Sequence, residues 1–207
     1  MATAIKICGI TRLEDAFAAL RAGAHAIGLV FFADSPRYIT PAAAGAIIRA
    51  LPPFITTVGL FVDAPADEVR KTLAQAPVQL LQFHGSEPPD YCREFGRPYV
   101  KAVRMRAGVD LLEYSRDYHD AKALLLDAYV EGLQGGSGVS FDWDLVPRGL
   151  PLPVILSGGL TGENVGDAVR RVRPCAVDVS SGVESAKGIK DAAKIAAFIT
   201  GVRNADV

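Results

Sequence analysis

The chain has 207 residues, half of them hydrophobic, with a formal net charge of -1. That length suits one domain with a sizeable core. A near-neutral balance with scattered Lys and Arg argues against nucleic acid or an anionic membrane surface as the main partner. Three cysteines at positions 8, 92 and 175 make neither a disulfide framework nor a metal-type spacing, so a reducing cytoplasm is expected. Met1 leads almost at once into Ile5-Lys6-Ile7, which reads as a strand rather than a signal peptide. No apolar run reaches the ~18 residues expected of a membrane span.

Short β-rich runs alternate with Ala-rich, helix-patterned segments. Strands are expected near Ala4–Cys8, Ala26–Phe31, Thr56–Val62, Leu80–Phe83, Tyr99–Val103, Ala123–Asp127, Pro153–Leu156 and Ala176–Val179. Most are apolar on both faces, as parallel strands buried on both sides must be. Helices are expected near Leu13–Arg21, Pro41–Ala50, Ala66–Gln75, Pro88–Glu94, Gly108–Arg116, Trp143–Val146, Gly162–Arg171 and Lys190–Val202. Pro41 and Pro88 fall where a first helical turn tolerates proline. Eight units of roughly 25 residues give an α/β fold: a single-domain (β/α)8 TIM barrel over residues 1–207. An open doubly wound sheet is the alternative, but the first strand ends in Cys-Gly-Ile-Thr, not a Gly-x-Gly-x-x-Gly turn.

In such a barrel the chemistry lies at the C-terminal ends of the strands. Cys8 ends the first strand; Lys6, two residues earlier on the same face, is a candidate for lowering its pKa. Cys92 and Cys175 are assigned no role. Arg37, in the loop after the second strand, can present a planar fork to a carboxylate. Asp63 closes the third strand and is expected to cap the next helix. His84 ends the fourth strand, and Lys101 and Arg104 put unspecific charge on the fifth. Asp127 follows four apolar residues at the end of the sixth strand, and a buried carboxylate there needs a reason. Glycine-rich turns follow at Gly136-Ser137-Gly138, Ser157-Gly158-Gly159 and Ser180-Ser181-Gly182. Turns after the seventh and eighth strands are where barrels of this class bind phosphate through backbone amides. Asp178 lies on the eighth strand just before its turn.

Several segments together resemble the phosphoribosylanthranilate isomerase family, and the match spans essentially the whole chain. They are Lys6-Ile7-Cys8-Gly9-Ile10-Thr11, Ser35-Pro36-Arg37, Val58-Gly59-Leu60-Phe61-Val62, Gln82-Phe83-His84-Gly85, Leu126-Asp127, Gly136-Ser137-Gly138 with Phe141-Asp142-Trp143, Ser157-Gly158-Gly159-Leu160, and Asp178 through Glu184. Their order and spacing carry the resemblance. Phe83 stands where the family often has leucine, an apolar exchange.

The resemblance implies an Amadori rearrangement of N-(5-phosphoribosyl)anthranilate to 1-(2-carboxyphenylamino)-1-deoxyribulose 5-phosphate, a step of tryptophan biosynthesis. It implies Cys8 as general base and Asp127 as general acid, so the thiol pKa should be lowered and the carboxyl pKa raised. It implies Arg37 on the anthranilate carboxylate, His84 and Asp178 lining the site, and the three glycine turns on the phosphate. No metal or organic cofactor is needed. The expected partner is the phosphorylated small molecule, with neither nucleic acid nor membrane, in a cytoplasmic monomer or homodimer. Competing readings are another phosphoribosyl isomerase barrel, which would use paired aspartates; a metal-dependent epimerase, for which His25, His84 and His119 supply no cluster; and a non-catalytic phosphate-binding barrel.

Overall fold

A computed structural model of the chain describes residues 2–128 and 140–206. Eight strands form a closed barrel in sequence order: β1 (Ala4–Ile7), β2 (Ala26–Val30), β3 (Thr56–Phe61), β4 (Leu80–Phe83), β5 (Tyr99–Met105), β6 (Ala123–Ala128), β7 (Val154–Leu156) and β8 (Ala176–Val179). Every neighbouring pair is parallel, and β8 closes on β1 with Lys6 opposite Asp178. The expected α/β barrel is the observed fold, and the strand bounds shift by no more than two residues at any end.

The helices are α1 (Leu13–Ala22), α2 (Pro41–Ala50), α3 (Ala66–Gln75), α4 (Pro89–Arg93), α5 (Leu111–Asp117), α6 (Val165–Val172) and α7 (Ala192–Ala205). Local chemistry sets their ends. Thr40 accepts from Ala43 N at α2, Asp110 from Leu112 N and Glu113 N at α5, and Asp191 from Ala193 N and Lys194 N at α7. These caps explain why α5 and α7 begin later than the periodicity suggests.

Three local expectations are corrected. Residues 143–145 make a single 3-10 turn, too short for the expected helix, with Asp142 capping it. Asp63 caps no helix: Pro65 holds the N-cap of α3, and the Asp63 side chain instead accepts from Ser86 N at 2.6 Å. Lys190 starts no helix. It belongs to a two-stranded antiparallel hairpin, β9 (Glu184–Ala186) with β10 (Ile189–Lys190), which turns at Gly188 with φ +77°.

The main core lies between barrel and helices, around Ile5, Leu29, Phe61, Phe83, Leu124, Leu126 and Phe198. Inside the barrel, Val100, Ala102, Ala123 and Leu125 fill the end near the strand starts, while Cys8, Val30, Leu60 and Val62 form a separate cluster. Among these lie buried polar side chains, Lys6, Gln82 and Asp178, an unusual content for a barrel interior.

Lys101 faces away from the mouth. Its ammonium is 2.8 Å from Glu87 Oε2 and 2.7 Å from the Gly85 carbonyl oxygen, and both side chains are almost wholly buried. Glu87 also accepts from Asp63 N and Gly85 N, so the pair pins the loop that follows His84. Lys101→Met leaves a buried carboxylate without its cation. It should cost about 3–5 kcal/mol of stability, and adding Glu87→Gln should recover part of the loss. Denaturant unfolding of both variants measures this. A Lys101→Met midpoint matching the wild type would show that the pair holds nothing.

Candidate active site

The strand ends open into one cavity of about 420 Å³, within the usual range for small-molecule sites. Cys8, Arg37, His84, Asp127, Ser157, Gly158, Gly159, Asp178, Ser180 and Ser181 all line it. Gly182 is the next residue, inside a 3-10 turn over Ser181–Val183. Gly136, Ser137 and Gly138 lie outside the described residues.

Cys8 follows β1 and is buried at 5 % exposure. A Cβ added to Gly28 would lie 2.7 Å from Cys8 Sγ and 3.0 Å from Lys6 Cε, so thiol and lysine share the space that this glycine leaves. Lys6 Nζ donates to Asp178 Oδ1 at 2.9 Å, with the Cys8 thiol beside it. Burial pushes the thiol pKa above its ordinary value. Lys6 and Lys190 pull it back, while Asp178 pushes it further up. The net direction is upward, against the expectation of a lowered pKa, because a short strand end inside a barrel is dehydrated. The same neighbours keep Lys6 firmly protonated: burial opposes its charge, but Asp178 and Cys8 more than compensate.

Asp127 sits on β6, three strands from β1 around the barrel by way of β8 and β7. It is buried, but its surroundings are not purely apolar. Oδ2 lies 3.0 Å from His84 Nε2, and Oδ1 accepts from Ala128 N at 3.0 Å. His84 Nδ1 lies 2.9 Å from Gln82 Nε2. With the Gln82 amide nitrogen donating, Nδ1 accepts, Nε2 carries the hydrogen, and Asp127 receives two hydrogen bonds as a carboxylate. Turning the Gln82 amide over and shifting the imidazole tautomer gives the complementary state, in which Asp127 Oδ2 carries the proton. The chain Gln82–His84–Asp127 therefore accommodates either protonation state with every position bonded.

The turn after β7 comes close to this carboxylate. Gly158 has φ +84°, and a Cβ there would meet Ala128 N at 2.4 Å and Asp127 Oδ1 at 2.8 Å. Only glycine fits such a path, which brings the Ser157–Gly159 backbone against the acid. Ser157 Oγ also reaches toward Asp178 Oδ2 at 3.4 Å.

Arg37 is buried rather than solvated on its loop. It forks onto Glu184, Nε to Oε1 at 2.7 Å and Nη2 to Oε2 at 2.8 Å. Glu184 also accepts from Lys190 Nζ at 2.8 Å. Sequence reasoning gave neither Glu184 nor Lys190 a role, and it quoted Gln82 only within a motif. For Gln82 a signal was present, since it shares a strand face with His84. For the other two there was none: Glu184 meets Arg37 147 positions away, and Lys190 meets Glu184 across a hairpin too short to show in the pattern. Val30, Phe32, Leu60 and Val62 complete an apolar wall beside Cys8 and Arg37. Among the described residues no group of His, Cys, Asp and Glu is arranged to hold a metal ion. Nor is any helix among them long and apolar enough to cross a membrane.

Comparison with known proteins bears on this arrangement. A family model described as N-(5′-phosphoribosyl)anthranilate (PRA) isomerase matches residues 5–201. A protein of Thiobacillus denitrificans named N-(5′-phosphoribosyl)anthranilate isomerase is 60% identical over 200 residues, covering 97% of this chain and 98% of its own. One of the same name from Nitrosospira multiformis is 57% identical over 202 residues, covering 98% and 97%. The crystal structure of phosphoribosyl anthranilate isomerase from Thermotoga maritima superposes with a TM-score of 0.89 at 38% identity, covering 98% of this chain and 99% of that one. A crystal structure of the isomerase in complex with reduced 1-(o-carboxyphenylamino)-1-deoxyribulose 5-phosphate gives 0.86 at 38% identity, with the same coverage. With a matching model over nearly its full length, relatives at this identity and the same closed barrel, the chain belongs to the N-(5′-phosphoribosyl)anthranilate isomerase family.

Proposed function

We propose that this chain converts N-(5-phosphoribosyl)anthranilate to 1-(2-carboxyphenylamino)-1-deoxyribulose 5-phosphate in tryptophan biosynthesis, with Cys8 as base and Asp127 as acid. One observation carries the proposal: a thiol, a carboxyl group, a buried arginine and two glycine turns all open into a single cavity. Asp127 gives a proton to the furanose ring oxygen. The bond from C1′ to that oxygen breaks as the anilino nitrogen lone pair forms the C1′–N double bond. Cys8 then takes the proton from C2′, and the electron pair moves through C1′ to nitrogen, leaving an enolamine. Tautomerisation yields the 2′-ketone. The rearrangement is an isomerisation with no net oxidation, so no external oxidant is consumed. A paired acid and base suffice for the proton transfers.

The remaining residues bind. Arg37 takes the anthranilate carboxylate, and the apolar wall of Val30, Phe32 and Val62 takes the ring. The turns at Ser157–Gly159 and Ser180–Gly182, with Gly136–Gly138, take the phosphate through backbone amides. His84 positions Asp127, and Asp178 positions Lys6 beside Cys8. The three free cysteines suit a reducing cytoplasm, where the protein works as a monomer or homodimer.

The test is the decay of phosphoribosylanthranilate fluorescence on adding the protein, with and without a chelator. Turnover unaffected by the chelator is expected, and no turnover would contradict the proposal. Arg37→Ala should raise KM and lower kcat/KM about 10–100-fold with a smaller change in kcat. An unchanged KM would remove Arg37 from the binding site.

A further inference from the structure

We propose that Glu184 and Lys190 are positioning residues for the substrate carboxylate: Glu184 fixes Arg37 as its receptor, and Lys190 restores the positive charge that Glu184 would cancel. The inference rests on Arg37 receiving the anthranilate carboxylate.

A guanidinium has two edges that can each grip a carboxylate: the Nε/Nη2 side and the Nη1/Nη2 end. Glu184 occupies the first edge with two short, charge-assisted bonds. The second edge is left for a second carboxylate, and Arg37 itself lines the cavity. Glu184 therefore sets which edge the substrate meets. The stem is fixed as well. Gly9 has φ +73°, and a Cβ there would lie 2.5 Å from Arg37 Cδ, so the arginine runs flat over the turn that follows Cys8.

A carboxylate held this tightly on Arg37 would normally cancel its charge and leave little attraction for an anionic substrate. Lys190 prevents that. Its ammonium is wholly buried and donates to Glu184 Oε1 at 2.8 Å, and the two residues are register partners across the β9–β10 hairpin. Two cations thus flank one anion, and the cluster keeps a net positive charge. Burial opposes ionisation of Glu184, but hydrogen bonds from Arg37 and Lys190 outweigh it and hold the carboxyl below its ordinary pKa. Burial lowers the Lys190 pKa, and Glu184 works against that shift. Lys190 Nζ also donates to the Ser180 carbonyl oxygen at 3.1 Å and to its hydroxyl at 3.3 Å. Ser180 Oγ in turn donates to the Cys8 carbonyl oxygen. The cluster therefore ties the carboxylate receptor to the turn proposed for phosphate and to the backbone of the base.

The experiment compares kcat/KM for phosphoribosylanthranilate with that for the analogue made from aniline, which lacks the carboxylate. Their ratio is internal to each preparation, so partial unfolding of a variant does not change it. Arg37→Ala should collapse the ratio. Glu184→Gln and Lys190→Met should each lower it about tenfold or more, mainly through KM of the carboxylate substrate, and Glu184→Asp should recover part of the loss. If Arg37→Ala collapses the ratio while either Glu184→Gln or Lys190→Met keeps or raises it, the positioning role is overturned and the binding role of Arg37 stands. If Arg37→Ala keeps the ratio, the binding role of Arg37 itself is wrong.

Discussion

Asp127→Asn should lower kcat by about 10²–10⁴-fold, with KM changing far less. The exchange keeps the shape of the side chain. An asparagine oxygen can still accept from Ala128 N, and its amide can donate to His84 Nε2 once the imidazole shifts tautomer. The loss would then report the missing proton rather than lost packing, and thermal unfolding of the variant should lie close to the wild type. The surroundings support this expectation. The Gln82–His84–Asp127 chain keeps its hydrogen bonds whether or not Asp127 carries the proton, so the acid can give its proton up without losing its partners. Near wild-type turnover in Asp127→Asn would remove Asp127 from the chemistry.

Cys8→Ser should cause a comparable fall in kcat, about 10²–10⁴-fold. A serine hydroxyl in this buried position does not become an oxyanion, so the base is lost although size and polarity are nearly kept. The wild-type pH profile follows from the same geometry. Burial raises the thiol pKa above its ordinary value, more than Lys6 and Lys190 lower it. The base acts only when deprotonated, so kcat/KM on the Cys8 limb should climb with pH and continue climbing above the ordinary thiol pKa. A thiol of raised pKa is a stronger base but is ionised in a smaller fraction of molecules, and the two effects partly offset. A limb falling with pH in this range, or one unchanged in Cys8→Ser, would assign the titration to another group.

Much of this was legible in the residues. The strands read correctly because parallel strands inside a barrel are apolar on both faces, a pattern that needs no knowledge of neighbours. Strand-end placement brought Cys8, His84, Asp127 and Asp178 to the mouth for the same reason. What could not be read depends on contacts between distant segments. Arg37 and Glu184 are 147 positions apart, and nothing local marks their pairing. The β9–β10 hairpin is too short for a periodic signal, so Lys190 read as the start of α7. The upward shift of Cys8 reflects how completely the barrel excludes water, which no spacing reveals. The apolar run before Asp127 suggested an apolar setting, but its polar neighbours are His84, just past β4, and the amide of Ala128.

That Cys8 is the base and Asp127 the acid is the central claim of the proposal. A substrate deuterated at C2′ tests that assignment most directly, by single-turnover rates in Cys8→Ser and Asp127→Asn. With Cys8 as base, breaking the C2′–H bond becomes the slow step in Cys8→Ser, and the deuterium effect should exceed that of the wild type. With Asp127 as acid, ring opening becomes the slow step in Asp127→Asn, and the effect should shrink toward unity. The reverse pattern, a large effect in Asp127→Asn and none in Cys8→Ser, would contradict the account.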